Sequence, residues 1–487
     1  MTIARVFPLI ILIEIFCMGV RPTTDPDMWW HLRTGELILA HGIPQYDTFS
    51  FTAAGHEVVA HEWASQAFMW LVYSAADLPG LAVAFALLPA LAFGLVYRAC
   101  EGRPYLAGAL VGLGAFTASP WYGVKPQLFN LVFLASFVLV LAHARRAATR
   151  TVLLALPLLT VVWANLHSGY LVGIALLLVY VVGETIDLTL GRTPLLARDR
   201  RDVRVLLVVA LACLVAALLN PNGIRLVGYA LDTLRTPVFR EHIAEWRSPE
   251  FRRPAYWAFG AMLALVALVL TLAPRRPTAT ESLLVLGGTA AGLASARHIP
   301  LFAVLVAPVL ARYTVLLLDR ARDSRIAGAL RFPSPRAGPI GPLVLAGVIV
   351  LAPFWSAAKL RANADVIASR YPVAAVDFLA RTGLLTEHGY NPYDWGGYLI
   401  WRRVPVFIDG RAEVYGAAFF EYHLKTALGA ADWTVPLDEQ RCAYALVKRD
   451  GPEAAVLRTS SAWCERYADA IARVFVRCDA LSERGAR

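Results

Sequence analysis

Twelve apolar segments dominate this chain. They fall at about 6–20, 62–78, 80–97, 105–119, 127–142, 151–166, 168–190, 203–219, 255–273, 281–296, 300–318 and 340–356. Each lies near the roughly 20 residues of a helical bilayer crossing, and several are shorter. Composition agrees: 58% of the residues are hydrophobic and 17% charged, where a soluble protein carries about 25% charged residues. Mean hydropathy is +0.54. These features predict a polytopic membrane protein, mainly α. The formal charge of +10 comes from arginines clustered in short loops. That is an orientation signal and not a nucleic-acid patch, so no nucleic-acid partner is expected.

The arginines also set the expected topology. If all twelve runs crossed, Arg145, Arg146 and Arg150, and Arg198, Arg200, Arg201 and Arg204, would face outside. Letting 62–97 cross once, with 62–78 lying at the interface or re-entering, puts those groups inside, with Arg98, Arg103, Arg275, Arg276 and the 320–336 loop. About eleven crossings result, and everything after residue 357 is outside. The 221–254 loop is the exception, since it carries Arg225, Arg235, Arg240, Arg247, Arg252 and Arg253 outside, diluted by Asp232, Glu241, Glu245 and Glu250. Arg5 followed by an apolar run resembles a signal peptide, but no small-residue cleavage site follows and Glu14 interrupts it. We read it as an uncleaved first span. The expected location is the cell (plasma or inner) membrane.

Two domains follow from this reading: a transmembrane domain over 1–357, with a long first outer loop at 21–61, and a soluble α/β extracytoplasmic domain over 358–487. In the loop, Met28–Ala40 alternates near helical period and predicts an amphipathic helix lying on the membrane. "GIPQYDTFSFTAAG" is turn-rich and partly strand-like. In the C-terminal domain, helices are expected near 372–381, 395–401, 417–428 and 435–441. Strands are expected at 389–391, "VPVFID", "AYALVK" and a late pair around 465–478. Cys17, Cys100 and Cys213 read as packing residues. Among Cys442, Cys464 and Cys478, an extracytoplasmic location allows one disulfide with one cysteine left over.

The unusual polar groups gather on the expected outer side. Asp25 and Asp27 stand one residue apart in "TTDPDMWWHL", and His61 and Glu62 end the same loop in "HEW". Lys125 sits between prolines in "SPWYGVKPQ". Asn165 and His167 end a span in "WANLHSG", and Arg297 and His298 begin one in "SARHIP". The last domain adds Asp394 and Trp395 in "YDWGGYLIW", and Asp409 and Arg411 in "FIDGRAEVY". Each has a plainer role: a solvated turn for Asp-x-Asp, a cap for His167, snorkelling for Lys125, close helix packing for Gly288 and Gly292. "HEW" lacks the second histidine of a zinc helix, and no P-loop, G-x-G-x-x-G or G-x-S-x-G is present.

Together they suit one chemistry. Lys125, Arg297 and Arg411 are cations that can hold a phosphate, with His298 beside them. Paired carboxylates can deprotonate an acceptor or hold a hard divalent cation such as Mg²⁺ or Mn²⁺, with His31 one helical turn from Asp27 as a further ligand. Trp29, Trp30, Trp63 and Trp121 can stack on sugar faces or hold a lipid. Asn165, His167, His61, Glu62, Asp394, Trp395, Asp409 and Arg411 are the candidates for contacts to acceptor or sugar.

"TTDPDMWWHLRTGELILAHGIPQYD" resembles the first outer loop of the GT-C superfamily of membrane glycosyltransferases. The pattern is nearest the catalytic subunit of oligosaccharyltransferase, with an acid-Pro-aromatic run, "HLR" and a closing acid. "YDWGGYLIW" is similar to that family's "WWDYG" signature, although Tyr393 replaces the tryptophan pair and Trp395-Gly396-Gly397 follows the acid. The resemblance implies a polyprenyl-phosphate-linked sugar donor and transfer on the outer face to a saccharide, lipid or protein acceptor. Asp25 is the first choice of acceptor base and Asp27 its partner or a metal ligand, an order that can be reversed. Pro26 holds Asp25 extended, which predicts that Asp27 caps the helix that follows. A transporter or flippase of lipid-linked saccharides would need midplane groups and repeats that are not visible. A non-catalytic envelope assembly or sensor protein would not need the acidic loop.

Overall fold

The computed structural model describes residues 3–147, 149–229, 236–322 and 340–478. Asp232, Arg235 and most of the 320–336 loop lie outside the described residues. The twelve apolar runs form eleven helices, because 62–78 and 80–97 join in one continuous element, Trp63–Ala99. That element breaks where the sequence separates the runs. Ala76 and Asp77 leave helical geometry, Asp77 taking φ 54°. The Asp77 carboxylate accepts from Leu78 N at 2.7 Å, and Pro79, which has no N–H, sits in the first turn of the second half. Six helices among the described residues are long and apolar enough to cross a membrane, and Val6–Gly19, Thr151–Leu166 and Ala279–Ala294 are shorter apolar helices. The protein is a multi-pass membrane protein.

Two compact units divide the chain. The first contains Met1–Arg21, Ala82–Leu226 and Ile243–Leu360; the second contains Pro22–Leu81, Val227–His242 and Arg361–Arg487. The first outer loop therefore packs with the C-terminal region in one unit.

The first unit is a helix bundle built around Ile299–Arg322, which packs on Pro104–Ala118, Leu128–Arg146, Trp257–Leu272 and Ala279–Ala294. Phe302, Ala303, Val304, Val306 and Ala307 are fully buried on this central helix. Small residues let the backbones close in: Gly288 faces Phe302 and Gly292 faces Phe259, the packing role expected of them.

The second unit carries a four-stranded sheet: β1 (Gly389–Tyr390), β2 (Tyr444–Lys448), β3 (Trp463–Ala468) and β4 (Ala472–Arg477), in the order β1-β2-β4-β3. β1 runs parallel to β2, and the other pairings are antiparallel. Helices Val373–Arg381, Tyr393–Trp401, Ala412–Ala427 and Val435–Glu439 fall where expected. Asn363–Arg370 and Pro452–Thr459 are additional helices. Cys464 and Cys478 form a disulfide, leaving Cys442 as a buried thiol.

"VPVFID" departs from expectation. Its residues are buried as a strand's would be, yet it joins no ladder of the sheet. Its partners come from elsewhere: Val406 N donates to Phe49 O and Phe51 N to Val406 O, both at 3.2 Å. The Asn391 side chain bonds Phe407 N and Ile408 O. Apolar alternation reports a buried extended segment and not which backbone pairs with it.

Candidate functional site

In the second unit, the acidic stretch heads the helix Pro26–His41. Asp25 is its N-cap: the backbone is extended (φ −70°, ψ 126°) and Oδ1 accepts from Asp27 N at 3.1 Å. This corrects the sequence reading, which gave the cap to Asp27. Pro26 is the reason. It occupies the first helical position, for which its fixed φ suits it, so the residue before it takes the cap. Asp27 lies in the first turn and accepts from Trp30 Nε1 at 3.0 Å.

The glycines of "YDWGG" bring Tyr393–Trp401 onto this helix. A Cβ on Gly397 would overlap the Pro26 carbonyl oxygen, and one on Gly396 would overlap that of Ile408. The Tyr393–Trp401 helix is thus held between the acidic turn and the "FIDG" segment, at backbone distances only glycine allows. Gly410 makes the third such approach, since a Cβ there would overlap Asp27 Oδ1. Tyr393 OH donates to Gly410 O at 2.9 Å. Trp29 packs against Tyr371, Tyr398 and Trp401. Thr24 and Pro26, the neighbours of Asp25, line a cleft of about 570 Å³ together with Tyr371, Asp394, Trp395 and Lys448. Lys448 Nζ donates to Asp394 at 2.5 Å, and Trp395 Nε1 donates to Arg370 O.

Asp409 and Arg411 belong to a buried brace. Arg411 donates through Nε and Nη2 to both Asp409 oxygens at 2.7 and 2.6 Å, and through Nη1 to Asp47 at 2.6 Å. Tyr415 OH and Ser50 Oγ complete the carboxylates, each at 2.5 Å. Burial alone would push the Asp47 carboxyl up, but Arg411 and Ser50 hold it below its ordinary value. Asp47 carried no separate expectation, although it is the closing acid of the first-loop pattern.

His31 turns to Gln66 (3.2 Å) and Glu62 (3.5 Å), and His61 stands 3.3 Å from the other Glu62 oxygen. The His61 ring stacks on Tyr229. Burial lowers the His61 pKa, but Glu62 and Glu413 raise it further, above its ordinary value. Burial raises that of Glu413. Among the described residues, no group of three or more His, Cys, Asp or Glu is placed to hold a metal ion. With Asp25 engaged by Asp27 N and His31 directed to Glu62, the expected set of Asp25, Asp27 and His31 does not form a closed cage.

The first unit places the other candidates. Lys125 Nζ donates to Glu245 Oε1 at 2.6 Å. Arg297 lies over the Trp246 ring, 4.2 Å from its centroid. Ser295 Oγ donates to Glu245 O and Ala296 N to Arg247 O, tying the two turns together. Lys125 beside Glu245 holds that carboxyl below its usual range, with help from Arg297. Lys125 and Arg297 thus share one carboxylate neighbour. Glu245 and Trp246 were missed; their signal was the mixed charge of the 221–254 loop. His298 Nδ1 contacts Ala291 O at 3.3 Å. Asn165 donates to Val161 O and Leu219 O, and His167 Nδ1 accepts from Gly169 N, so both fasten helix ends.

No protein-family model matches the chain, and no curated protein is similar to it in sequence. Solved structures share its fold. One is the Archaeoglobus fulgidus oligosaccharyltransferase, crystallised with a tethered acceptor peptide containing the NVT sequon (TM-score 0.51, 14% identity, 91% of this chain and 69% of that chain). Another is ArnT from Cupriavidus metallidurans bound to undecaprenyl phosphate (TM-score 0.50, 15% identity, 96% of both chains). The chain shares the fold of these two proteins.

Proposed function

We propose that this protein is a membrane glycosyltransferase that moves a sugar from a polyprenyl-phosphate donor to an acceptor on the outer face of the cell membrane. The observation that carries this reading is the acidic turn. Asp25 and Asp27 are fixed at a helix head, clamped by Gly397 and Gly410, and both neighbours of Asp25 line a cleft of about 570 Å³. A turn that was merely solvated would not need one glycine against the Pro26 carbonyl and another against the Asp27 carboxylate. The solved GT-C structures, one with undecaprenyl phosphate and one with an acceptor peptide, support the donor and acceptor classes. The disulfide between Cys464 and Cys478 supports an oxidising, extracytoplasmic location for the C-terminal region.

In the reaction, an acceptor X–H attacks the anomeric carbon of the donor sugar. The new C–X bond forms as the bond from that carbon to the phosphate oxygen breaks, and the phosphate leaves with the electron pair. Asp25 takes the acceptor proton at Oδ2, its Oδ1 being held by the Asp27 amide. Asp27, oriented by Trp30 Nε1, accepts a hydrogen bond from the acceptor and keeps it in line. Asp394 and Trp395 shape the acceptor cleft. Lys125 and Arg297 are the cations of the first unit suited to a lipid-linked phosphate.

The test is turnover of a polyprenyl-phosphate sugar by purified protein. Asp25→Asn keeps a competent cap and should lower transfer by roughly 10²–10⁴-fold, the share of a general base. Wild-type rates in Asp25→Asn and Asp27→Asn would return the motif to a structural turn and favour a non-catalytic envelope protein.

A further inference from the structure

The first unit holds a second polar site, at the end of its bundle remote from Lys125. A cavity of about 60 Å³ lies among Leu128–Arg146, Tyr170–Thr189, Ala279–Ala294 and Ile299–Arg322. Val138, Leu141 and Arg145 line it from one helix, and Leu305, Val309 and Arg312 from another, each set sharing a face at three- and four-residue spacing. On both helices the arginine is the last lining residue. Arg145 stands 17 residues beyond Leu128, where the helix after Lys125 begins, a rise of about 25 Å. The hydrocarbon core is about 30 Å thick, so the two ends of this helix lie near opposite headgroup layers.

Each arginine is fixed by an acid and keeps donors to spare. Arg145 pairs with Glu101 through Nη2, and Arg312 Nη1 donates to Glu281 at 2.8 Å. Their other N–H groups make no hydrogen bond among the described residues, and neither does the Tyr180 hydroxyl, which lines the same cavity. The acids around it are occupied by the protein. Glu281 is 3% exposed and also accepts from Thr278 and Tyr313. Glu101 also faces Arg146. Glu184, behind the wall at Leu196, accepts from Leu196 N, Ala197 N and Thr280 Oγ1. What remains towards the cavity is a set of donors.

We propose that this cavity binds a phosphate group, held by Arg145, Arg312 and Tyr180, whether carried by a phospholipid or free in solution. The site is separate from the transfer reaction and does not depend on it. Size favours a phosphate. At ~15 Å³ for each water, the cavity has room for about four, which suits one phosphorus with its oxygens and excludes a sugar or an acyl chain. Donor chemistry agrees, since the planar N–H fork of a guanidinium matches phosphate oxygens in pairs. An arginine already held along one edge by a carboxylate presents its other edge with less ordering to pay on binding. A phosphate bridging Arg145 and Arg312 would tie Leu128–Arg146 to Ile299–Arg322 at this end of the bundle.

The experiment uses the full chain in detergent and three probes: dioctanoyl phosphatidylglycerol, dioctanoylglycerol with the same chains and no phosphate, and inorganic phosphate. Dissociation constants are measured by calorimetric titration for wild type and variants. Arg145→Gln and Arg312→Gln should each weaken the phosphate-bearing probe about tenfold, the worth of one charge-assisted hydrogen bond, and Tyr180→Phe about threefold. Arg145→Lys and Arg312→Lys keep the pairing with Glu101 and Glu281 but lose the fork, so they give the same comparison should the glutamine variants not fold. Binding of phosphatidylglycerol with this dependence supports the site and makes the source a lipid headgroup. Binding of inorganic phosphate alone, with the same dependence, supports it and makes the source soluble. Equal affinity for dioctanoylglycerol and phosphatidylglycerol, or no change in either arginine variant, overturns the proposal and leaves the two ion pairs as helix staples. A loss in Lys125→Met as large as in the arginine variants would place the probe at the other end of the bundle and overturn it as well.

Discussion

Arg411 and Lys125 are both paired with carboxylates, one in each compact unit, but their surroundings differ. Arg411 is 5% exposed and its partners Asp47 and Asp409 are 0% exposed. Lys125 is 9% exposed, whereas Glu245 is 44%. Around Arg411 every partner is internal and both acids carry further hydrogen bonds. Around Lys125 one partner, Glu245, reaches solvent. A charge buried with buried partners cannot be exchanged for a ligand's without leaving an acid stranded. A buried cation whose acid is half-exposed can. The sequence offered Arg411 and Lys125 as comparable phosphate ligands; burial of the partner separates a brace from a binding group.

The largest effect should come from breaking the brace. Arg411→Met strands Asp47 and Asp409 and should destabilise the second unit by about 3–5 kcal/mol. Thermal unfolding in detergent, followed by tryptophan fluorescence, checks it. A shift no larger than that of a surface variant would show that Arg411 is not a brace.

In a second buried group an opposite charge only partly offsets burial: Asp394 raises the His423 pKa less than burial lowers it. His423 is fully buried against Tyr390 and Phe407, and its Nδ1 has no hydrogen-bond partner among the described residues. Burial pushes its pKa down to about 4, against an ordinary value of about 6.5. Between those values the unfolded chain binds more protons than the folded one. Stability should therefore fall as pH drops from 6.5 towards 4, by up to about 3 kcal/mol. His423→Phe should flatten that part of the pH profile. His61, whose pKa is raised beside Glu62 and Glu413, should act in the opposite sense. Its contribution is present below about pH 6.5 and is lost as pH rises through its raised pKa. Denaturant unfolding at several pH values separates the two.

Lys125→Met tests the exposed pair. Its cost in stability should stay within about 1 kcal/mol, as for a partly solvated ion pair. Lipid-phosphate affinity should fall about tenfold, or about 1.4 kcal/mol. A large loss of stability with unchanged affinity would place Lys125 with Arg411 among the braces. The smallest effect is expected at the helix head, where Asp25→Ala should cost about 1 kcal/mol of stability by removing the cap, and Asp25→Asn almost nothing. Thermal midpoints of the two variants give the comparison.

Much of the fold was legible because its signals are local. All twelve apolar runs became helix, and the break between the second and third appears at Ala76–Asp77, where "ADLPG" supplies a short acid and a proline. In the C-terminal region, β2, β4 and four helices lie close to their expected positions, since each has its own periodicity. "VPVFID" shows where that information ends: its alternation gave extended and buried, but not its pairing with 49–51 and Asn391.

The candidate site divides in the same way. By itself the sequence determined which residue types were available, the carboxylates, cations and aromatics of the loops. It also made Pro26 the first helical residue, which gives the cap to Asp25, although that consequence was misread. Only tertiary structure decided partners. It gave Arg411 to Asp47, 364 residues away, Lys125 to Glu245, 120 residues away, and set the Asp27 carboxylate against Gly410. The physical reason is that an ion pair's role depends on how much water reaches each partner. That is set by what the rest of the chain packs around them, and no spacing along the sequence encodes it.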